Sequence, residues 1–325
     1  MISRIPRRAL LAAPALLLAA KARAQPAWPA RPVRIIAPFA PGGSADTLGR
    51  LVAQELTTTL GQPFVVENRA GAGGLTASLQ VARTAPDGYS FVISGIASHV
   101  IAPAINPNAG FDPVRDFTHV AFLGGPPTVL VVNAALPARD LAEFVALGRA
   151  GRALAYASPG AGTHGHLFAV AFERAAGIRM EHIPYRGAGA ALADIMSGAV
   201  PAGSFTLTSA LGGIRGGQLR ALAITAPRRV ATLPDAPTFT EGGFPDITGQ
   251  TWFGLSGPAS LPEPITTTLN REAVRIMNSP RMRERLEADA IEPAEFSSPE
   301  FTRFVAAEVA RWTPIARAAG LSAEG

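Results

Sequence analysis

Three short loops carry the residue types that suit anion chemistry: Pro41-Gly42-Gly43-Ser44, Asn68 to Gly74, and Ser158 to Thr163. Each mixes glycines with small hydroxyls or amides and stands just before apolar residues at helical spacing. Glycine lets successive backbone N–H groups turn toward one point, and a helix N-terminus adds a partial positive charge. Such a loop holds a carboxylate or phosphate without a cationic side chain.

Other chemistries find less support. Gly160-Ala161-Gly162-Thr163-His164-Gly165 matches the dinucleotide fingerprint, and Glu181 lies about 20 residues on. Glu181 opens its strand, however, where a ribose-binding acid belongs near the strand's C-terminal end. The five histidines are His99, His119, His164, His166 and His182. His164 and His166 stand two apart, a spacing that separates their faces on a helix. No Gly-x-Ser-x-Gly elbow or His-Glu-x-x-His motif occurs, so no catalytic residue, metal site or cofactor is expected.

The elements that position these loops alternate. Val33 to Ala37 reads as a buried strand, and Leu48, Leu51, Val52 and Leu56 as a helix ending at Gly61. Strands follow at Phe64–Val66 and Tyr89–Ser94, with a small-residue helix, Leu75–Arg83, between them. Val120 to Val132 reads as a strand pair. The pattern then resumes with helix Leu141–Arg149, strand Leu154–Ala157, helix Leu167–Ala176, strand Glu181–Pro184 and helix Ala190–Met196. Ala199–Leu207 and Leu219–Thr225 read as strands, and the tail as three helices starting near Pro264, Pro280 and Pro299. Alternation of this kind predicts an α/β fold with mainly parallel sheets in two lobes, although no sequence repeat is visible.

Composition narrows the classes. The chain has 325 residues, no cysteine, and a formal charge of +5. Residues 1–24 hold Arg4, Arg7, Arg8, Lys21, Arg23 and no acid; the rest balances at 24 Arg against 24 Asp plus Glu. The basic balance therefore argues for no nucleic-acid partner. Lys21 is the only lysine, so residues 25–325 cannot supply a Schiff base or P-loop lysine. A basic start, the apolar run Ala9–Ala20 and the small-x-small site Ala22-Arg23-Ala24 predict a signal peptide over 1–24, cleaved near Ala24. The general secretory and twin-arginine routes both fit. The expected destination is the periplasm.

The loops and their surroundings resemble the Bug family, the periplasmic solute-binding proteins of tripartite tricarboxylate transporters (TctC type). The resemblance spans about residues 28–320. It rests on Pro38-Phe39-Ala40-Pro41-Gly42-Gly43-Ser44-Ala45-Asp46, Val66-Glu67-Asn68-Arg69, Ala85-Pro86-Asp87-Gly88-Tyr89, Tyr156-Ala157-Ser158-Pro159-Gly160, Ile183-Pro184-Tyr185-Arg186-Gly187, and Trp252-x-Gly254. It implies a type II periplasmic-binding-protein fold: two α/β lobes with crossing hinge strands and a ligand cleft between them. Lobe 1 would take 25–130, lobe 2 131–250, with 251–325 returning to lobe 1.

The resemblance further implies a non-enzymatic, monomeric receptor. It would close on a small organic carboxylate, a di- or tricarboxylate or an aromatic acid, and deliver it to the transporter's membrane subunits. Signalling through a membrane sensor is the alternative output, and a secreted hydrolase the less favoured one. The implied ligand-binding residues are Phe39, Gly42, Gly43, Ser44 and Asp46 in one pincer. Ser158, Gly160, Gly162, Thr163 and His164 form the other. Ser98 and His99 would line the floor, and Asp194 is a further polar candidate. Two departures matter. His164 stands where the family usually has serine, and would add a donor able to ionise near neutral pH. Gly198-Ala199-Val200-Pro201 lacks the usual acid, so the ligand is expected to need no ammonium group.

Overall fold

The computed structural model describes residues 28–288, 290–291 and 294–318. The expected signal peptide lies outside these residues.

Two five-stranded sheets form the frame. The first runs β2(Phe64–Asn68), β1(Val33–Ala37), β3(Ser90–Gly95), β10(Phe253–Pro258), β4(Phe117–Gly124). The second runs β7(Met180–Pro184), β6(Leu154–Ser158), β8(Ala202–Thr206), β5(Thr128–Asn133), β9(Leu219–Ile224). In each sheet three neighbouring strands are parallel, and the fourth runs against the strands on both its sides. The order is therefore the same in both. β5 holds in the second sheet the place that β10 holds in the first.

The chain changes sheets twice. It leaves after β4 through Gly125–Pro127, so the expected boundary at 130/131 falls inside β5. It returns before β10, where Gln250 pairs with Pro127 and the Thr251 amide donates to Pro126 O. A Cβ on Gly125 would stand 2.0 Å from Thr251 O, so only glycine lets the two backbones cross this closely. The Thr225 hydroxyl braces the crossing, accepting from Thr128 N at 2.9 Å and donating to Gly249 O at 2.6 Å.

Helices cover the sheets as their apolar spacing dictates. α1(Ser44–Leu60) buries Leu48, Val52 and Leu56 on the first sheet and stops at Gly61, in left-handed conformation at φ 72°. α2(Leu75–Ala82) packs Ala77 and Val81 on that sheet's other face. A π-helix, Ile96–Ile101, follows β3 directly and runs into α3(Ala102–Ile105). In the second lobe, α4(Leu141–Arg149) and α5(His164–Ala176) bury Phe144, Phe168 and Phe172 on one face. α6(Ala188–Ser197) and α7(Leu207–Arg215) bury Ile195 and Leu211 on the other. Each fully buried side chain of this size contributes about 1.5–3 kcal/mol of transfer free energy.

The tail differs in part from its expected return to the first lobe. α8(Glu263–Met277) and α9(Pro280–Ala288) do pack there, through Leu269, Met277 and Leu286. α10(Ser298–Ala318) instead spans both lobes. Its Phe301 lies against Phe122 of β4, while Trp312 meets His164 and Phe168 of α5. Glu308 fixes this arrangement by accepting from Trp252 Nε1 at 3.0 Å and Trp312 Nε1 at 3.1 Å. Among the described residues, no helix is long and apolar enough to cross a membrane.

Candidate functional site

The C-terminal ends of the parallel strands in both sheets face one cavity of about 60 Å³ between the lobes. Pro38, Phe39, Gly43 and Ser44 supply the wall after β1, and Ala97 and Ser98 the wall after β3. Pro159, Thr163, His164 and Gly165 follow β6. Ala188 enters from α6, and Thr206 and Ser209 from the β8–α7 junction. Thr251 and Phe253 come from the returning crossing segment.

Among the described residues, no Asp, Glu, Lys or Arg lines this cavity. Its potential comes from the backbone. The N-termini of α1, α5, α6 and α7 all reach it, and those of α1, α6 and α7 have no side-chain cap. Leu207 N of α7 is taken by Pro127 O and His166 N of α5 by Thr163 Oγ1, but first-turn amides without such a partner are available as donors, and four helix ends together favour an anion. The walls also meet directly. Ser44 Oγ lies 2.6 Å from Thr206 Oγ1 and 3.2 Å from Ser209 Oγ, and Ala40 N donates to Arg186 O.

The loop after β1 is held from behind. Gly42, at φ 90°, makes the turn, and its amide donates to Asp46 Oδ2 at 3.1 Å. Arg50 Nε and Asn68 Nδ2 donate to Asp46 Oδ1 at 3.0 and 2.8 Å. Burial alone would raise the Asp46 carboxyl, but these donors hold it below the usual range. Asp46 and Gly42 are thus off the cavity wall, and Asp46 fixes the loop. Asn68 to Gly74 is off the wall too. It supports both sides: Asn68 also donates to Phe39 O, and a Cβ on Gly73 would stand 2.9 Å from Ala161 O of the facing loop.

The facing loop is fixed without charge. Ser158 Oγ lies 2.7 Å from His182 Nε2 and donates to Gly160 O. Thr163 Oγ1 donates to Gly160 O, and Gly162 N donates to His166 Nδ1 at 3.1 Å. The His166 and His182 rings stack with centroids 3.8 Å apart. Burial lowers His166 to about 3, helped by His182, and lowers His182 to about 4. Both are neutral clamps. Ser158, Gly160 and Gly162 therefore shape the loop, and Thr163 and His164 face the cavity.

Three expectations change here. His164 is fully buried, with Nδ1 3.1 Å from Thr128 Oγ1 and its ring edge-on to Phe168. Burial, then the charge of Arg311, lowers it to about 3, so it does not ionise near neutral pH. His99 turns away from the cavity into a cluster with Phe111, Phe117 and His119, leaving Ser98 alone on the wall. Both belong to the π-helix rather than the end of a strand. Asp194 sits on α6 away from the wall, accepting from Tyr185 Oη at 2.5 Å and pushing that phenol up to about 12.

Sequence reasoning missed Thr206, Ser209, Thr251 and Phe253. Thr206 and Ser209 belong to no motif, and the strand expected to run through Leu207 ends at Thr206, where α7 begins. Among the described residues, no group of His, Cys, Asp and Glu could hold a metal ion.

Comparison with known proteins adds the family context. Residues 48–321 match the model described as "Tripartite tricarboxylate transporter family receptor". The sequence is 34% identical to protein BugT of Bordetella pertussis over 296 residues, 90% of each chain. The fold is similar to that of Rpa4515 from R. palustris, solved with adipate. Its TM-score is 0.87 and its identity 32%, covering 91% of this chain and 99% of that one. It is also similar to MatC from Rhodopseudomonas palustris, solved with bound malate. There the TM-score is 0.84 and the identity 32%, covering 89% and 100%.

Proposed function

The chain belongs to the tripartite tricarboxylate transporter receptor family, and from that premise we propose how this member works. It is a periplasmic solute-binding receptor, not an enzyme, and it takes a small organic carboxylate. The carboxylate sits in the interlobe cavity, met by first-turn amides of α1, α5, α6 and α7 and by the hydroxyls of Ser44, Ser98, Thr163, Thr206 and Ser209. The observation that carries this reading is the convergence of four helix N-termini on a cavity without charged side chains. Contacts from both lobes exist only when the lobes are together, so ligand binding favours closure.

The absence of an acid on the wall supports a ligand without an ammonium group. Residues 1–24 direct export and are removed after Ala24; mass spectrometry of the periplasmic protein should find Gln25 first. The receptor acts as a monomer. In support, the large exposed hydrophobics among the described residues are Val65 and Ile315, which form no patch of the kind that marks an interface. It delivers its ligand to the membrane subunits of a tripartite transporter.

Thermal unfolding of ligand-stripped protein tests the reading, against a panel of malate, adipate, citrate, benzoate, aspartate and glutamate. A ligand at about 100 times its Kd adds roughly 2.7 kcal/mol, a shift of several degrees. Stabilisation by one of the first four acids is expected. Stabilisation by the two amino acids alone would overturn the ligand class.

A further inference from the structure

The Ser98–His99 pair sits at the boundary between the cavity and the first lobe's interior. Ser98 is on the wall, whereas His99 is 0% exposed behind it. Ser98 Oγ lies 3.1 Å from His99 Nδ1, and Ser78 Oγ lies 3.3 Å from the same nitrogen. On its other side the imidazole packs on Phe117, with centroids 4.5 Å apart, and Phe111. His99 Nε2 is buried and has no hydrogen-bond partner among the described residues. The neighbouring His119 offers none, since its Nδ1 meets Ser256 Oγ and its Nε2 meets Pro113 O.

These contacts decide where the imidazole proton sits. Burial, with His119 nearby, lowers His99 well below its usual value, so the ring is neutral and carries one proton. A proton on Nε2 would be a buried N–H without an acceptor, which costs more than a bare lone pair. The proton therefore belongs on Nδ1, where two hydroxyl oxygens accept it. Ser78 has carbonyl acceptors for its own proton, Gly74 O and Ser98 O, each at 3.4 Å. Ser98 has none among the described residues, and its oxygen is already engaged as an acceptor.

We infer that His99 is a positioning residue for ligand binding: it donates from Nδ1 to Ser98 Oγ and so directs the Ser98 hydroxyl proton at a carboxylate in the cavity. This rests on the receptor reading above. Ser98 and His99 are successive residues of the π-helix, one on the wall and one behind it.

The test has two arms. In ligand-free protein labelled with ¹⁵N-histidine, the His99 ring, assigned with His99→Asn, should show a protonated Nδ1 and a bare Nε2. The reverse tautomer overturns the inference whatever the protein binds. In the second arm, calorimetric titration with malate and adipate compares wild type with Ser98→Ala, His99→Phe, His99→Asn and the double variant Ser98→Ala/His99→Phe. Ser98→Ala and His99→Phe should each weaken binding by about tenfold or more. The double variant should be no weaker than Ser98→Ala. His99→Asn, whose side-chain N–H falls near the position of Nδ1–H, should recover most of the affinity. Multiplying losses in the double variant, or wild-type affinity in His99→Phe, would overturn the inference while leaving the receptor reading intact. If wild type binds neither acid, the reading for these ligands fails and the inference falls with it.

Discussion

The two lobes share one strand order and secure their cavity loops by opposite means. In the first lobe a carboxylate does it: Asp46 turns away from the cavity and gathers Gly42, Arg50 and Asn68. In the second lobe neutral imidazoles do it: His166 accepts from Gly162, and His182 engages Ser158 beneath the stacked pair. Both solutions keep charge off the wall. What reaches the cavity is backbone dipole, hydroxyl, the neutral His164 ring and apolar side chains, so selectivity rests on geometry and on the sign of the ligand's charge rather than on ion pairing.

Acid should break this comparison most strongly. Burial holds His119 and His182 at about 4 and His164 and His166 at about 3, against 6.5 for the free ring, and lowers His99 well below that value. The unfolded chain therefore binds extra protons as pH falls below 6.5. Stability is complete above that value and declines through the window down to about 4 for His119 and His182 and about 3 for His164 and His166. The slope is up to about 1.4 kcal/mol per pH unit for each fully buried ring, and less for the partly exposed His182. Three of these rings belong to the second lobe and two to the first. Urea midpoints should fall steeply between about pH 7 and about pH 5. Equal midpoints would mean that the rings ionise freely in the fold. Asp46 has the other sign of ionisation and a lower window: its depressed carboxyl stabilises above the usual carboxylate value and loses that stabilisation as pH falls through the folded value.

A pair of glycines sharpens the contrast next. A Cβ on Gly165 would stand 2.2 Å from Ser204 O, a backbone atom of β8, whereas one on Gly43 meets nothing within 4 Å. Gly165→Ala should cost about 1–3 kcal/mol or more. Gly43→Ala should change stability by less than about 0.5 kcal/mol while placing a methyl on the cavity wall and weakening ligand binding. Thermal unfolding and calorimetry on the two variants separate these outcomes.

Asp46→Ala should cost about 1–3 kcal/mol, because it removes the charged acceptor of the Gly42 amide, of Arg50 Nε and of one Asn68 N–H, whose amide keeps only Phe39 O. It should weaken ligand binding through a loosened loop. Unchanged stability would mean that the loop stands on its glycines alone. The smallest effect is expected from Asp194→Asn. It should alter stability by about 0.5 kcal/mol or less and leave affinity unchanged. The Tyr185 phenol should move from about 12 toward 10, read by ultraviolet titration.

These contrasts also mark what a sequence can carry. β1 and α1 were legible because a short run, apolar except for Arg34, and a Leu48-Val52-Leu56 stripe each fit one element. The loops at Gly42-Gly43 and Gly160–Thr163 were legible because glycine and small hydroxyls before a helix have a physical use. The direction of Asp46 was not, since an acid in a first helical turn can face ligand or its own loop equally well. The family resemblance put His99 on the floor, and the π-helix that holds it behind the wall leaves no period of its own in the sequence. Thr206 and Ser209 come together with Ser44 only through the fold, more than 160 positions away. The shared strand order of the two sheets was equally hidden, because parallel buried strands need only apolar residues, not the same ones.

The central claim is that an uncharged cavity recognises a carboxylate by backbone dipoles and hydroxyls from both lobes. Calorimetric titration of the acid that gives the largest thermal shift, beside its amide of the same shape, tests it most directly. The account predicts that the acid binds and that the amide binds at least about tenfold more weakly, the discrimination expected when helix termini and hydroxyls lose an anionic acceptor. Equal affinity for acid and amide would contradict it.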